Sequence, residues 1–440
     1  MIVLSGAAVV LPDRILSPGT LVIEGERIAE VRPDAAPSGS HADSLFPFHG
    51  HYIVPGFIDV HMHGVDGVDS LDVRPDGDAI ATIAERLPRY GVTAFCPTTV
   101  ACAPERLRAV LDQVRQARAM PAARAARVLP AHLESNFVNL EYRGAQPADC
   151  LRSPRAALDG AGRAGGPGGA GGSGLLAVAR AGQDARAKAG GAGGSSGFDG
   201  ADILREIERA APDVGIVTVA SELDGGVDLV RWLASRGHRV SLGHSAATYD
   251  EALAAIAAGA RHATHLFNRM PPLSHREPGL AGAVLQTNEV AAEVICDGAH
   301  VHPAVVRLAI AAKRPSHIFA ITDATAAAGL TPGSRAAIGG RLIIAGESTA
   351  LLEDGTIAGS VHTMDRVFRT LVGRVGISLI DAATICATTP ARQLGLVNHG
   401  VIAPEAVADL VVLDANFLVI QTYRAGQLVY SRNTQTATSV

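Results

Sequence analysis

The sequence predicts an α/β fold: a TIM-like (β/α)8 barrel accompanied by a small β-sandwich domain built from both termini. Three observations support this prediction. Short apolar runs alternate with Ala- and Leu-rich stretches, eight such units follow one another, and β-branched runs without helical spacing occupy both ends. Alternation of this kind is typical of a parallel sheet, and eight units are the number that closes a barrel.

The small domain is predicted from strand-like runs at the two ends of the chain. These runs are Ile2–Val10, Leu21–Val31, Asp409–Leu413 and Phe417–Tyr430, the last with Gly426 in a turn. Because chain termini often lie close together, we expect residues 1–54 and 395–440 to form one domain. Residues 55–394 are then left for the barrel.

The barrel is predicted from eight apolar runs that precede or alternate with helical stretches. The strands are Tyr52–Asp59, Val92–Pro97, Val128–Leu133, Gly215–Ala220, Arg239–Leu242, Ala260–Thr264, Val290–Cys296 and His317–Thr322. The clearest helices are Pro104–Ala117, Ala201–Ala211, Tyr249–Ala258 and Pro303–Ala312. Residues 160–200 interrupt this order, since they hold 16 of the 48 glycines. We interpret them as a flexible insertion that cannot bury enough apolar surface to order itself.

Bulk composition excludes several classes of function. The net charge of −5 and the absence of a long basic run argue against a nucleic-acid partner. No uninterrupted apolar run is long enough for a membrane span, and no signal peptide is evident. The five cysteines are odd in number and form no CxxC pair, which favours a cytoplasmic location over a disulfide scaffold.

Acidic and histidine side chains follow five of the predicted strands. They are His61 and His63 after strand one, Glu134 after strand three, His244 after strand five, His265 after strand six and Asp323 after strand eight. Alone, each has an ordinary explanation as a core histidine or a helix cap. Together they converge on the face where such barrels place active sites, and a Glu/His/His set suits zinc with one position left for water. We therefore predict a metal site.

Several motifs resemble the amidohydrolase superfamily and, within it, the N-acetylglucosamine-6-phosphate deacetylase family. The first-strand signature is Pro55-Gly56-Phe57-Ile58-Asp59-Val60-His61-Met62-His63-Gly64. The motifs of the narrower family are Ser241–Ser245, Thr264–Asn268, His275–Gly279, Asp297–Val301 and Thr322–Thr325. The resemblance covers nearly the whole chain except the Gly-rich insertion. It implies a barrel of amidohydrolase type and hydrolysis of an N-acetylated amino sugar phosphate to free amine and acetate.

The resemblance also implies roles for individual residues. Glu134, His244 and His265 would hold a divalent metal, with zinc expected before iron, cobalt or manganese, and His61 and His63 would allow a second ion per subunit. Asp323 would be the general base and then the general acid, and His300 would polarise the acetamide carbonyl. Arg276 would bind the 6-phosphate, reaching across a homodimer interface as in many relatives. The remaining substrate contacts would come from Ala145, Asn268, Arg269, Asp297, Ile357, Ala358 and Gly359.

Two departures and three alternatives accompany this assignment. Ser135-Asn136 stands where the family usually has Gly-Pro, and Ala220-Ser221-Glu222 stands where it often has Ala-Pro-Glu. An N-acetylgalactosamine-6-phosphate substrate and a catalytically impaired scaffold both stay open. A cyclic-amide hydrolase of the same superfamily typically needs a lysine at the end of strand four, and none is present there.

Overall fold

The computed structural model describes residues 1–34, 44–74, 77–164 and 197–432. Eight parallel strands form a barrel, and we number them β1–β8. They are Phe57–Met62 (β1), Val92–Thr99 (β2), Ala131–Leu133 (β3), Val214–Val219 (β4), Arg239–Leu242 (β5), His262–Ala263 (β6), Ala291–Ile295 (β7) and Ile318–Ile321 (β8). Each strand pairs in parallel with the next one along the chain. The predicted barrel is confirmed.

The barrel closes between β8 and β1. A parallel bridge joins Met62 to Ala324, and the Asp323 N–H donates to the His61 carbonyl at 3.0 Å. Below this closure, the buried Asp59 carboxylate accepts a 2.5 Å hydrogen bond from the Thr322 hydroxyl. The strand ends that carry His61 and Asp323 are therefore held side by side.

At least one α-helix follows each barrel strand. In chain order the α-helices are Ala79–Arg86, Pro104–Ala119, Pro154–Ala164, Gly200–Arg209, Gly226–Ser235, Tyr249–Ala257, Gly279–Gln286, Pro303–Lys313, Met364–Thr370, Leu379–Ala383 and Thr389–Gln393. The four helices predicted from sequence are confirmed to within two residues at each end. Local signals fix some ends: Thr248 and Glu251 exchange hydrogen bonds in a capping box that starts Tyr249–Ala257.

A second sheet forms the small β domain from both ends of the chain, as predicted. Its strands are Ile2–Val10, Ile15–Glu24, Arg27–Arg32, Ser44–Pro47, Tyr52–Pro55, Leu410–Leu413, Val419–Arg424 and Gln427–Ser431. The two termini meet where Tyr52–Pro55 pairs antiparallel with Leu410–Leu413. The strands enclose a core of their own, which includes Leu4, Leu21, Ile53, Leu410 and Tyr423.

Three of the predicted strands are each divided into two strands in the structure. The run Tyr52–Asp59 divides at Gly56, between the strand Tyr52–Pro55 of the small sheet and β1. A Cβ atom at this position would lie 2.3 Å from Thr93 Oγ1, so only glycine fits there. Leu21–Val31 contains a hairpin that turns at Gly25, whose φ of 57° suits glycine. Val128–Leu133 divides into Arg127–Val128 and β3 because Pro130 has no N–H to donate to the ladder.

A four-stranded antiparallel sheet that follows β8 was not predicted. Its strands are Arg335–Ile338, Arg341–Ala345, Thr349–Leu352 and Ile357–Ser360. The Gly339-Gly340 turn, with φ of 56° and 84°, was the available hairpin signal. Most of the predicted insertion lies outside the described residues. The helices Pro154–Ala164 and Gly200–Arg209, however, extend into its two ends. Within the described ranges, no helix is long and apolar enough to cross a membrane.

Candidate metal centre and substrate pocket

A cavity of about 470 Å³ opens at the carboxyl ends of the barrel strands. Its volume is in the range of small-molecule sites. Side chains from both the barrel and the loops line it. The residues predicted from sequence that line it are His63, Glu134, Ala145, His244, His265, Asn268, Arg269, His300, Asp323, Ile357, Ala358 and Gly359. The structure therefore brings most of the predicted set to one cavity.

Glu134, His244 and His265 converge on one point at the base of the cavity. Glu134 Oε1 lies 2.6 Å from His244 Nε2 and 3.0 Å from His265 Nε2, and the two Nε2 atoms are 3.0 Å apart. All three side chains are buried. The three ligand atoms lie within 4.8 Å of one another, as a shared cation requires.

The hydrogen bond on the far side of His244 supports a cation at this point. His244 Nδ1 donates to the Tyr142 carbonyl at 2.8 Å, because a carbonyl oxygen can only accept. In the neutral ring, Nε2 then presents a lone pair toward the Glu134 carboxylate. Such an arrangement is stabilised by a cation between the two atoms, and the nitrogen and carboxylate donors suit zinc.

His61 and His63 form a second convergence beside the first. Their Nε2 atoms are 3.3 Å apart, and both lie 3.4 Å from Asp323 Oδ1. Glu134 is shared, since its Oε1 lies 3.8 Å from His61 and its Oε2 lies 3.5 Å from His63. The donor set His61, His63 and Glu134 could hold a further ion.

Three of the converging residues have a left-handed backbone conformation. The φ angles are 47° at His244, 28° at His265 and 49° at Asp323. Histidine and aspartate accept this region more readily than bulky residues, but it still carries strain. Each lies just after its barrel strand, where the turn directs the side chain into the cavity.

His300 reaches the cavity from the loop after β7 and is oriented by Asp297. His300 Nδ1 donates to Asp297 Oδ2 at 2.6 Å, and Asp297 Oδ1 accepts from the backbone N–H groups of Ala299 and His300. Burial opposes charge on the imidazole, but the hydrogen bond and charge of Asp297 outweigh it and raise the pKa of His300. His300 is thereby favoured as a hydrogen-bond donor toward the cavity.

Two residues predicted to contact substrate do not line the cavity. Asp297 is buried behind His300, so it acts on the cavity only through that ring. Arg276 lies in an exposed loop and is absent from the lining of its own chain's cavity. Arg269 is the sole lysine or arginine among the described residues that line the cavity, which makes it the cation available within one chain.

The loop after Glu134 is held by hydrogen bonds in the absence of the Gly-Pro pair. Ser135 Oγ donates to the Thr218 carbonyl at 2.5 Å, and Asn136 Nδ2 donates at 2.8 Å to the carbonyls of both Cys102 and Cys150. After β4, the Glu222 carboxylate accepts from Ser245 Oγ at 2.6 Å. The Ser135-Asn136 departure is thus built into the framework of the cavity, whereas the buried Ser221 hydroxyl has no hydrogen-bond partner among the described residues.

Sequence reasoning missed four polar residues around the candidate metal ligands. Gln146 lines the cavity and donates to Glu134 Oε2, and no local pattern points to it. Glu293, His132 and His262 form a fully buried cluster beneath His61. The signal for Glu293 was a carboxylate in the middle of the otherwise apolar run Val290–Cys296.

Comparisons with known proteins agree with this geometry. Residues 234–432 match the Amidohydrolase family. The chain is 33% identical to human N-acetylglucosamine-6-phosphate deacetylase, over 95% of this chain and 90% of the relative. It is 32% identical to the N-acetylgalactosamine-6-phosphate deacetylase of Escherichia coli O157:H7, over 86% and 87%.

A solved structure extends the comparison to the fold. It is a variant of N-acetyl-D-glucosamine-6-phosphate deacetylase from Mycobacterium smegmatis, in complex with N-acetyl-D-glucosamine-6-phosphate. It superposes with a TM-score of 0.79 at 30% identity and covers 98% of this chain and 99% of the other. Since sequence and fold agree over nearly the whole length, the chain belongs to the N-acetylglucosamine-6-phosphate deacetylase family of amidohydrolases.

Proposed function

We propose that the protein is a metal-dependent hydrolase that removes the N-acetyl group of N-acetylglucosamine 6-phosphate, giving glucosamine 6-phosphate and acetate. One observation carries the proposal: Glu134, His244 and His265 converge at the base of a cavity that Asp323 and His300 also line. This is the arrangement that amide hydrolysis needs, with an electrophilic centre, a proton carrier and a donor to the carbonyl oxygen in one enclosed space.

Each residue has a separate task in this reaction. When bound, the divalent ion brings the pKa of a coordinated water toward about 7 and polarises the amide carbonyl. Asp323 accepts a proton from the attacking water as the new C–O bond forms. His300, held by Asp297, donates to the carbonyl oxygen as negative charge develops there. Asp323 then passes the proton to the amine nitrogen, and the C–N bond breaks.

Two arginines would recognise the phosphate. Arg269 lines the cavity of its own chain, and no described residue accepts a hydrogen bond from its guanidinium. Arg276 is exposed on a loop outside that cavity, as expected if it serves the cavity of a second subunit. We therefore propose a homodimer in which Arg269 binds in cis and Arg276 in trans, each through the planar fork that suits phosphate.

Zinc is the proposed ion, with iron, cobalt and manganese as the alternatives, and one or two ions would bind per subunit. Imidazole nitrogen and carboxylate oxygen suit all four metals. All five cysteines are free, in keeping with the proposed cytoplasmic location.

An assay on the two epimeric substrates, N-acetylglucosamine and N-acetylgalactosamine 6-phosphate, tests the proposal. The protein would be loaded with each metal in turn, and acetate release would be measured on both sugar phosphates. We expect kcat/KM to be higher for the gluco epimer. Because one relative acts on the galacto epimer, a reversed ratio would assign the chain to that activity instead. No acetate from either substrate, with any of the four metals, would refute the proposal.

A further inference from the structure

Glu293 is a carboxylate at a position where barrels normally place branched apolar side chains. It lies in the middle of β7, has no exposed surface and points into the barrel beneath the candidate metal ligands. Burying a carboxylate costs several kcal/mol, on the order of the stability of a domain, unless partners compensate it. Its partners are therefore informative.

One oxygen of Glu293 contacts two different candidate ligand residues. Oε2 accepts from His61 Nδ1 at 2.9 Å and from the backbone N–H of His265 at 3.2 Å. The other oxygen, Oε1, lies 3.0 Å from His262 Nε2 and 3.6 Å from His132 Nδ1. A single side chain thus connects β1 with the end of β6.

We propose that Glu293 is a positioning residue for metal binding, which fixes the ring of His61 and the backbone of His265 through one carboxylate oxygen. The inference rests on the metal site of the proposed function. Because Nδ1 of His61 donates to Glu293, Nε2 is the ring nitrogen left to bind a metal ion on the side of His63 and Asp323. The bond to the His265 N–H holds that residue in its left-handed conformation, with φ of 28°.

His132 also lies near Glu293, but its ring is already held by a carbonyl and a hydroxyl group. His132 Nδ1 donates to the Val60 carbonyl at 3.1 Å, and its Nε2 accepts from Thr218 Oγ1 at 2.9 Å. Both nitrogens are therefore occupied within the barrel wall. Among the three rings around Glu293, His61 alone also faces the cavity ligands. Loss of a carboxylate that orients a ligating histidine typically weakens metal binding by about 10–100-fold.

The experiment compares zinc affinity in the wild type and Glu293→Gln. Bound ions would be removed with a chelator, and the Kd for zinc would then be measured by competition with a chromophoric chelator, with elemental analysis giving the number of ions. We expect Glu293→Gln to weaken the binding of at least one zinc ion by roughly 10–100-fold. In a His61→Ala background the same change should have a smaller effect, since one of its two targets is gone.

A matched control separates positioning from general destabilisation. Glu206→Gln removes another buried, paired carboxylate, which contacts Arg108 and Arg209 far from the cavity ligands. It should lower the melting temperature of the metal-free protein and leave the zinc Kd unchanged. If Glu293→Gln does not fold, Glu293→Asp gives the same comparison with the charge kept and the reach shortened.

The outcomes distinguish this inference from the proposed function. A wild type that binds no zinc would refute both. The positioning role alone would be refuted if the wild type binds zinc and the Kd of the Glu293 variant is within threefold of the wild-type Kd for every ion. Because zinc affinity is measured without substrate, neither result depends on which sugar phosphate is cleaved.

Discussion

The Nε2 atoms of His244 and His265 lie 3.0 Å apart, and both face the same carboxylate oxygen of Glu134. Two imidazole nitrogens at this distance cannot both point a lone pair at each other without repulsion. A divalent cation between them would remove the repulsion, since all three donors could bind it. The geometry therefore links the stability of this end of the barrel to metal binding.

Metal removal should lower the stability of the protein. An ion present at a hundred to a thousand times its Kd stabilises the folded state by about 3–4 kcal/mol. We expect a chelator to lower the melting temperature of the wild type and added zinc to restore it. In His265→Ala the chelator should lower the melting temperature by less than in the wild type. An equal response of variant and wild type would place the ion elsewhere.

The His61→Ala, His63→Ala double variant tests the second ion. If both rings bind metal, elemental analysis should show fewer ions per chain than in the wild type, while the ion at Glu134, His244 and His265 is retained. His238→Ala, which removes a buried histidine that contacts the Val214 carbonyl outside the cavity, controls for destabilisation. An unchanged count in the first variant would establish a single ion.

The sequence predicted the barrel and six polar residues at five strand ends because these depend on local signals. Apolar runs such as Val92–Pro97 and Gly215–Ala220 are short and regular, and the side chain that follows each strand must face the cavity. Glu293 could not be assigned a role in this way. Its partners His61 and His262 are distant in sequence, and only the closed barrel brings them together.

Other features escaped prediction for similar reasons. The hairpins between Arg335 and Ser360 border the cavity, but their strands are short and partly exposed, so their apolar pattern is weak. Gln146 reaches Glu134 from a loop without regular structure. The family resemblance implied that Ile357–Gly359 contact the substrate, but the Gly339-Gly340 turn was the one local signal for the sheet that carries them.

Phosphate recognition by Arg269 can be tested with Arg269→Met, which keeps the aliphatic length and removes the charge. A hydrogen bond to a charged group contributes about 1.5–3 kcal/mol, or roughly ten- to a hundredfold in affinity. We expect kcat/KM to fall by this factor for the phosphorylated sugar and only slightly for the unphosphorylated one. Arg231→Ala, at an exposed position of the helix Gly226–Ser235, is the control. Equal losses on both substrates would exclude a phosphate contact.

If Arg276 binds the phosphate in the cavity of a partner subunit, two differently impaired subunits should restore activity in a hybrid dimer. Arg276→Ala alone should raise KM for the phosphorylated sugar, again more than for the sugar without phosphate. If the arginine acts in trans, hybrids with an Asp323→Asn subunit should regain part of the activity, because one cavity would then have both groups intact. Verified hybrids with no gain would mean that each cavity is completed by its own chain.

The pair of His300 and Asp297 predicts a pH-dependent contribution to stability. The pKa of His300 is raised above 6.5 and that of Asp297 is lowered below 3.8. The first shift stabilises the fold fully below pH 6.5 and is lost as the pH rises through the folded pKa. The second is present above pH 3.8 and is lost as the pH falls further. Asp297→Asn should therefore lower the melting temperature most between pH 3.8 and pH 6.5, and less at high pH. A loss that does not vary with pH would show that the pair is not charged.

Asp323→Asn tests the proton carrier. Burial opposes ionisation, but the hydrogen bond from His63 and the charge of His61 lower the pKa of Asp323, so the carboxylate is ionised and able to accept a proton at neutral pH. Asparagine has the same shape and tolerates the left-handed backbone, with φ of 49°, but it cannot carry the proton. We expect kcat of the metal-loaded variant to fall at least about a hundredfold, the usual scale for one acid–base group.

The same variant distinguishes catalysis from a structural role. Asp323 caps no α-helix of the described residues, since the next one is Met364–Thr370. If its role were only structural, its loss would leave turnover near normal. KM and metal content are the controls, because a residue that only carries protons changes neither, whereas a ligand changes the metal content. In the wild type, kcat/KM should fall at low pH as Asp323 and the water become protonated as a coupled pair. A metal-loaded, folded variant with kcat within a few-fold of the wild type would require another proton carrier.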